Sequence, residues 1–392
     1  YAKFAAYGFL KNLQFAEPFL ILFLLSRGQN YLQIGSLYAI RMLAANLLEI
    51  PSGVAADAFG RRRVMILAFA GYIASFLLLY LGRSFPAFAA AMLLYATGEA
   101  FRTGTHKAMI MSYLGMRGWM HLKSRYYGRT RSWSQLGAAL SALIAATIVF
   151  ASRSYADILL YSIVPYALDA LLIASYPAAL DGNSANADSG SAIARLRGTA
   201  RDLRRAARDP RLAITVVNAS LLGGFYKAAK DFLQPMIQAL AISLPLFAGL
   251  DVQRRSAVLV GIVYALLYVA TSVAARSAAA VSERLGPLSR ALNLELFAGL
   301  GVTFGAGVAH AAGLPGPAVT LFMLLYVLQN LRRPLSVTYM SDAVSERVQA
   351  TALSVESQVQ SLIGALCAIA IGAVAEAAGG AVGVGLAVVA GT

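Results

Sequence analysis

Gly53-Val-Ala-Ala-Asp57-Ala-Phe-Gly60-Arg61-Arg62-Arg63 is a short polar passage joining two apolar stretches, residues 31–56 and 64–82. A small residue, an acid four positions on, then a glycine and basic residues read as a tight turn at a membrane surface. Gly53 permits close helix approach, and Asp57 sits where a helix end leaves the bilayer. Gly60 allows the turn, and the arginines hold it on the cytoplasmic side. That reading requires long apolar neighbours on both sides, and they recur along the whole chain.

Of 392 residues, 59% are hydrophobic and 13% charged, with mean hydropathy +0.65; soluble domains carry roughly 25% charged residues. Apolar stretches fall at residues 4–25, 31–56, 64–82, 86–113, 129–151, 158–176, 212–242, 256–279, 289–311, 316–341, 351–375 and from 380 onward. All but the last reach or approach the roughly 20 residues that cross a bilayer as a helix. The last requires chain beyond Thr392 to span. The opening stretch lacks a small-residue cleavage site and is expected to be a first spanning helix, not a signal peptide. The sequence thus predicts an all-α membrane protein of about twelve transmembrane helices.

Net charge is +15, which in a soluble protein suggests nucleic acid. The placement of the 33 Lys and Arg argues otherwise: with the N-terminus in the cytoplasm, 20 fall at cytoplasmic ends, 5 at the opposite side and 8 inside spans. This is the positive-inside pattern of a multi-pass inner-membrane protein with a cytoplasmic N-terminus, and it leaves no nucleic-acid partner to invoke. Cys367 is the only cysteine, and His106, His121 and His310 are scattered, so neither a disulfide nor a metal site is expected.

The spans come in two sets. Residues 1–177 hold six, residues 178–211 form a polar linker followed by a basic run with helical spacing, and residues 212–392 hold six more, the last incomplete. Ile34-Gly35-Ser-Leu-Tyr38-Ala39 returns as Val260-Gly261-Ile-Val-Tyr264-Ala265, an offset of 226. Asp57-Ala-Phe-Gly60 returns at the same offset as Glu283-Arg-Leu-Gly286, while Phe15-Ala-Glu-Pro18 of the first span returns as Phe232-Leu-Gln-Pro235 in the seventh. Tyr95 and Arg102 correspond to Tyr326 and Arg333. Shared order and loop position argue for a duplicated six-helix unit with both copies starting on one side.

The loop at Gly53 to Arg63 is similar to the signature loop of the major facilitator superfamily, and the resemblance extends over nearly the whole chain. It implies a fold of two pseudo-symmetric six-helix halves that rock about a central site, with spans one, four, seven and ten lining it. It further implies a cytoplasmic gate of Gly53, Asp57, Gly60 and Arg61, Asp57 and Arg61 bracing the closed gate against the second half. Two patterns of proton-coupled drug exporters are missing. Gly137-Ala-Ala stands where they carry a Gly-Pro pair followed by a Gly pair, and Leu94 where they carry an arginine.

Charges inside the spans carry the chemistry. Lys11, Arg102, Lys107, Lys227, Lys230, Arg332 and Arg333 all lie on spans one, four, seven and ten; Arg41 lies elsewhere. Each costs about 3 kcal/mol unpaired at a span centre, so these residues face water, partners or substrate. Arg102, Lys227 and Arg333, then Lys11 and Lys230, are the candidates for substrate binding; Lys107 and Arg332 are alternatively snorkelling residues. Glu17, Glu99, Asp231 and Glu356 are the candidates for carrying a proton. Asp169, Glu49 and Glu295 sit on helices that line the cavity less often in the resembled family. Glu99 with Arg102 and Lys227 with Asp231 are spaced to pair within their own helices. Pro334 is expected to break the tenth span.

Seven cations against three acids on those helices favour a small anionic or amphipathic organic solute, moved by alternating access and driven by an ion gradient, with the proton a candidate coupling ion. A P-loop is missing, as is any nucleophile-base constellation, so neither a nucleotide pump nor an enzyme is expected, and no cofactor is implied. A proton-coupled multidrug exporter and a non-transporting sensor or assembly partner remain alternatives. The chain is expected to work as a monomer in the lipid bilayer.

Overall fold

The computed structural model describes residues 2–181, 210–245, 248–285, 287–343 and 346–392, and every regular element among them is helical. The helices are α1 (Ala2–Lys11), α2 (Leu20–Ser26), α3 (Tyr31–Phe59), α4 (Arg61–Leu81), α5 (Phe85–Arg102), α6 (Thr105–Met116), α7 (Lys123–Ser152) and α8 (Asp157–Ala174). They continue as α9 (Pro210–Ala229), α10 (Leu233–Ser243), α11 (Val252–Leu285), α12 (Leu288–Ala311), α13 (Pro315–Ala343), α14 (Glu346–Ala377) and α15 (Val382–Gly391). Of the 178–211 linker, Ala178–Asp181 is a 3-10 turn and Pro210 opens α9; the expected basic helix lies outside the described residues.

Among the described residues six helices are long and apolar enough to cross a membrane: α4, residues 129–152 of α7, α8, residues 252–278 of α11, α12 and residues 353–377 of α14. The remaining spans are interrupted, carry internal charge or are short. Three apolar stretches that read as continuous are broken helices. The first is α1 followed by α2, the fourth is α5 followed by α6, and the seventh is α9 followed by α10.

Each break has a local cause. In the first span, Asn12 N–H bonds Phe9 O at 3.1 Å and Leu13 N–H bonds Leu10 O at 2.9 Å, a tightening of the last turn; Pro18 then offers no N–H to rebuild the ladder. In the fourth, Thr103 is extended and Gly104 has φ +86° with open space around it. The requirement there is torsional, and glycine meets it. In the seventh, Lys230–Phe232 form a 3-10 turn and Pro235 sits in the first turn of α10, where a missing N–H costs little. Pro334 behaves differently from the expectation. α13 runs unbroken through it, because a proline removes one intrahelical bond without obliging the backbone to leave the helical region.

The chain divides into two compact units, one of Tyr1–Glu17 with Leu43–Arg197 and the other of Pro18–Met42 with Gly198–Thr392. In the first unit α4 packs on α5 and α8, and α1 on α7 and α8. Gly137 of α7 lies so close to Phe9 of α1 that a Cβ would collide with its carbonyl oxygen. That close approach explains why a glycine stands at this point of the fifth span. In the second unit α9 packs on α14, α12 on α13 and α15, and α10 on α11, while α2 reaches α10. Residues Leu20 to Leu24 of α2 are all buried, and the backbone N–H of Ile21 donates to Gln234 Oε1 at 2.8 Å. Pro18–Met42, from the first two spans, therefore belongs by packing with the second set of helices.

Candidate functional site

The breaks are where the charge sits. Lys11 is the last residue of α1, Arg102 the last of α5, and Lys230 and Asp231 occupy the 3-10 turn that follows α9, with Lys227 in the last turn of α9. Unpaired carbonyls at a helix C-terminus carry partial negative charge, so cations there are favoured by the backbone itself.

In the first unit, Lys11, Arg102 and Asp169 of α8 act electrostatically on one another. The Arg102 Nε donates to the Tyr72 hydroxyl at 3.2 Å, and Tyr7 lies within reach of the same guanidinium. Tyr72 meets Tyr95 edge-on, with centroids 4.8 Å apart, and packs on Tyr166 at 4.9 Å. Tyr7 stacks on His106 at 3.6 Å, and the His106 Nε2 is 3.3 Å from the Tyr176 hydroxyl, which donates to Lys3 O at 3.3 Å. Among the described residues Lys11 has no hydrogen-bond partner, and Arg102 is held by tyrosine and by no carboxylate. Asp169 is 0% exposed, and among the described residues neither of its carboxyl oxygens has a hydrogen-bond partner.

In the second unit, Lys227 Nζ donates to Ser361 Oγ at 3.2 Å. Lys230 Nζ lies 3.0 Å from Asp231 Oδ1, and Lys230 O accepts from the Tyr326 hydroxyl at 2.7 Å. Tyr226 meets Tyr326 edge-on. Deeper in that unit Arg332 is 1% exposed, its guanidinium donating to Leu292 O, to Asn218 O at 2.7 Å and to Asn218 Oδ1 at 3.3 Å. Glu356 Oε1 accepts from Ser336 Oγ at 2.8 Å and Gln360 Nε2 at 3.0 Å. Among the described residues both oxygens of buried Glu295 lack a hydrogen-bond partner.

The sequence candidates thus separate. Lys11 and Arg102 come together in one unit, and Lys227, Lys230 and Asp231 in the other. Arg333 is exposed while its neighbour Arg332 is buried, and Lys107 is exposed. Glu17 and Glu99 are half-buried, and both interact with other groups. Asp169, Tyr7, Tyr72 and Tyr166 join the cluster without having been singled out as binding residues; the available signal was an aspartate in the middle of an apolar span.

At the turn before α4, Gly60 has φ +90°. The Asp181 carboxylate accepts the Arg62 N–H at 2.7 Å and so caps the start of α4, and Arg62 Nη1 donates to Tyr176 O at 3.0 Å. Arg61 Nη1 donates to Ser112 Oγ of α6 at 2.6 Å, a bond within its own unit. Among the described residues nothing lies within 4 Å of a Cβ built on Gly53. The side chain of Asp57 lies outside the described residues.

Interrupted apolar helices with charge at their breaks define a polytopic membrane transporter, since irregular backbone at membrane depth is tolerated where it is buried in protein or lines a site. The major facilitator superfamily model matches residues 5–387, and the chain belongs to that superfamily. No curated protein matches the sequence. Among solved structures, a variant of the nucleoside transporter NupG is 16% identical, with TM-score 0.79, covering 100% of this chain and 96% of that one. A peptide transporter POT in complex with sulfate is 14% identical, with TM-score 0.67, covering 99% and 92%. A bacterial homologue of the human lysosomal transporter Spinster, in an inward-facing and occupied conformation, is 15% identical, with TM-score 0.67, covering 95% and 81%. At these identities the likeness is one of fold. The protein is a multi-pass membrane transporter of the secondary, alternating-access type, and not an enzyme.

Proposed function

We propose that the transported solute is a small organic molecule with an anionic group, bound by Lys11 and Arg102, with Lys227 and Lys230 as further candidates and an ion gradient as the driving force. One observation supports this above the rest: two half-buried cations stand at helix breaks with no carboxylate bonded to either among the described residues. A cation held by a neutral hydroxyl keeps its charge available, and a planar guanidinium suits a carboxylate or phosphate ester. Tyr7 and Tyr72 meet Arg102 through their hydroxyls, and Tyr95 and Tyr166 pack on Tyr72, an aromatic surrounding that suits a solute with an apolar body.

The test is thermal stabilisation of the purified protein against anionic, neutral and cationic compounds. A ligand at a hundred times its Kd stabilises by about 2.7 kcal/mol. Anions are expected to stabilise the parent and to lose that effect in Arg102→Ala. Equal stabilisation of both forms by neutral or cationic lipophiles would instead favour an exporter of lipophilic compounds.

A further inference from the structure

The second unpartnered feature of the first unit is an acid. We propose that Asp169 is a proton-binding site whose occupancy is coupled to anion binding at Lys11 and Arg102, so that proton and anion are taken up together.

The geometry supplies the argument. Asp169 lies inside α8 with 0% exposure, which excludes direct contact with a solute and leaves the proton as the ligand small enough to reach it. Both oxygens lack a hydrogen-bond donor among the described residues. A carboxylate so placed has no solvation, whereas a carboxylic acid there is tolerated. The groups that act on it are Lys11 and Tyr7 from α1, Arg102 from α5 and Tyr176 just after α8. α4 contributes Tyr72, which holds Arg102, and α7 contributes Arg131, which acts on Lys11.

Two cations therefore face one acid that is not bonded to them. With a solute anion on Lys11 and Arg102 their charge is met, and Asp169 retains its proton. When the anion leaves, the Asp169 O–H bond breaks, the carboxylate keeps the electron pair and becomes the counter-ion, and the proton passes to water. Proton and anion then raise one another's affinity by a single coupling free energy, the relation expected of a symporter. Glu295 is also buried without partners, but the arginine nearest it is already bound by three acceptors and has no comparable freedom. Asp169 stood outside the four carboxylates first considered, Glu17, Glu99, Asp231 and Glu356, because its helix was not expected to line a site.

This inference rests on the anion reading of Lys11 and Arg102, but its first test does not require a solute. Infrared difference spectra of the purified protein between acid and alkaline buffer report the protonated-carboxyl C=O band. The band is expected in the parent, reduced in Asp169→Asn and restored in Asp169→Glu. Identical spectra for parent and Asp169→Asn, with both proteins folded by thermal denaturation, would overturn the site. Lys11→Met combined with Arg102→Met stands in for a bound anion. In that variant the Asp169 band is expected to persist in buffers alkaline enough to abolish it in the parent, and an unchanged pH dependence would overturn the coupling. If the panel above finds no anion while these spectra behave as expected, the solute reading fails and the proton site stands.

Discussion

Arg102 and Arg332 occupy comparable places in spans four and ten, yet their surroundings differ. Arg332 is closed in by the carbonyl oxygens of Leu292 and Asn218 and the Asn218 amide oxygen, and is 1% exposed. Arg102 stands at a helix end with a tyrosine hydroxyl 3.2 Å from its Nε. A buried cation whose two terminal nitrogens are bonded to backbone carbonyls, as in Arg332 with only its Nε left over, ties helices together. A half-buried one held by hydroxyls at a break in the backbone can accept a ligand. The same contrast separates Glu356, which accepts two hydrogen bonds, from Asp169, which accepts none among the described residues.

Substitutions sharpen the comparison. The largest effect is expected at Arg332. Arg332→Met leaves two carbonyls without donors in a buried site, and a loss of about 3 kcal/mol or more is expected in thermal unfolding of the detergent-solubilised protein. Lys11→Met in the other unit should change stability by less than about 1 kcal/mol, since it breaks no hydrogen bond among the described residues. Comparable losses at both would dissolve the distinction between tying and binding cations.

Gly137→Leu comes next, because the side chain must enter the space that holds Phe9 O; overpacking of about 1–3 kcal/mol is expected in the same assay. Gly104→Ala should cost about 1–2 kcal/mol through its positive φ alone, there being open space around it. An unchanged melting temperature would mean that the break between α5 and α6 does not depend on that torsion. A smaller change, about 1 kcal/mol and above only that at Lys11, is expected for Ser361→Ala, from loss of the hydroxyl that accepts the Lys227 ammonium.

The spans were legible in the sequence because hydropathy reports them directly. Their interruptions were not, since a window that averages over twenty residues passes smoothly across Thr103-Gly104 or Lys230-Asp231. The clues were local and individually weak: Asn12 with Pro18, a glycine two residues after Arg102, Pro235 four residues past the charged pair Lys230-Asp231. Pro334, the clearest helix breaker by residue type, sits in an unbroken helix. Internal repetition pointed to Arg333 as the partner of Arg102. Adjacent residues on a helix point about 100° apart, and the buried one is Arg332. The meeting of residues 7, 11, 102 and 169 is tertiary, and no spacing along the chain encodes it. The charge excess was read from four helices alone, and Asp169 and Glu295, on two others, reduce it.

Transport itself tests the central claim most directly. Proteoliposomes carrying the parent or Arg102→Ala are given an imposed pH gradient, and uptake of labelled anionic and neutral solutes is followed. The account predicts gradient-driven accumulation of an anion by the parent and its loss in Arg102→Ala. Accumulation that is equal in the two proteins, or confined to uncharged solutes, would contradict it.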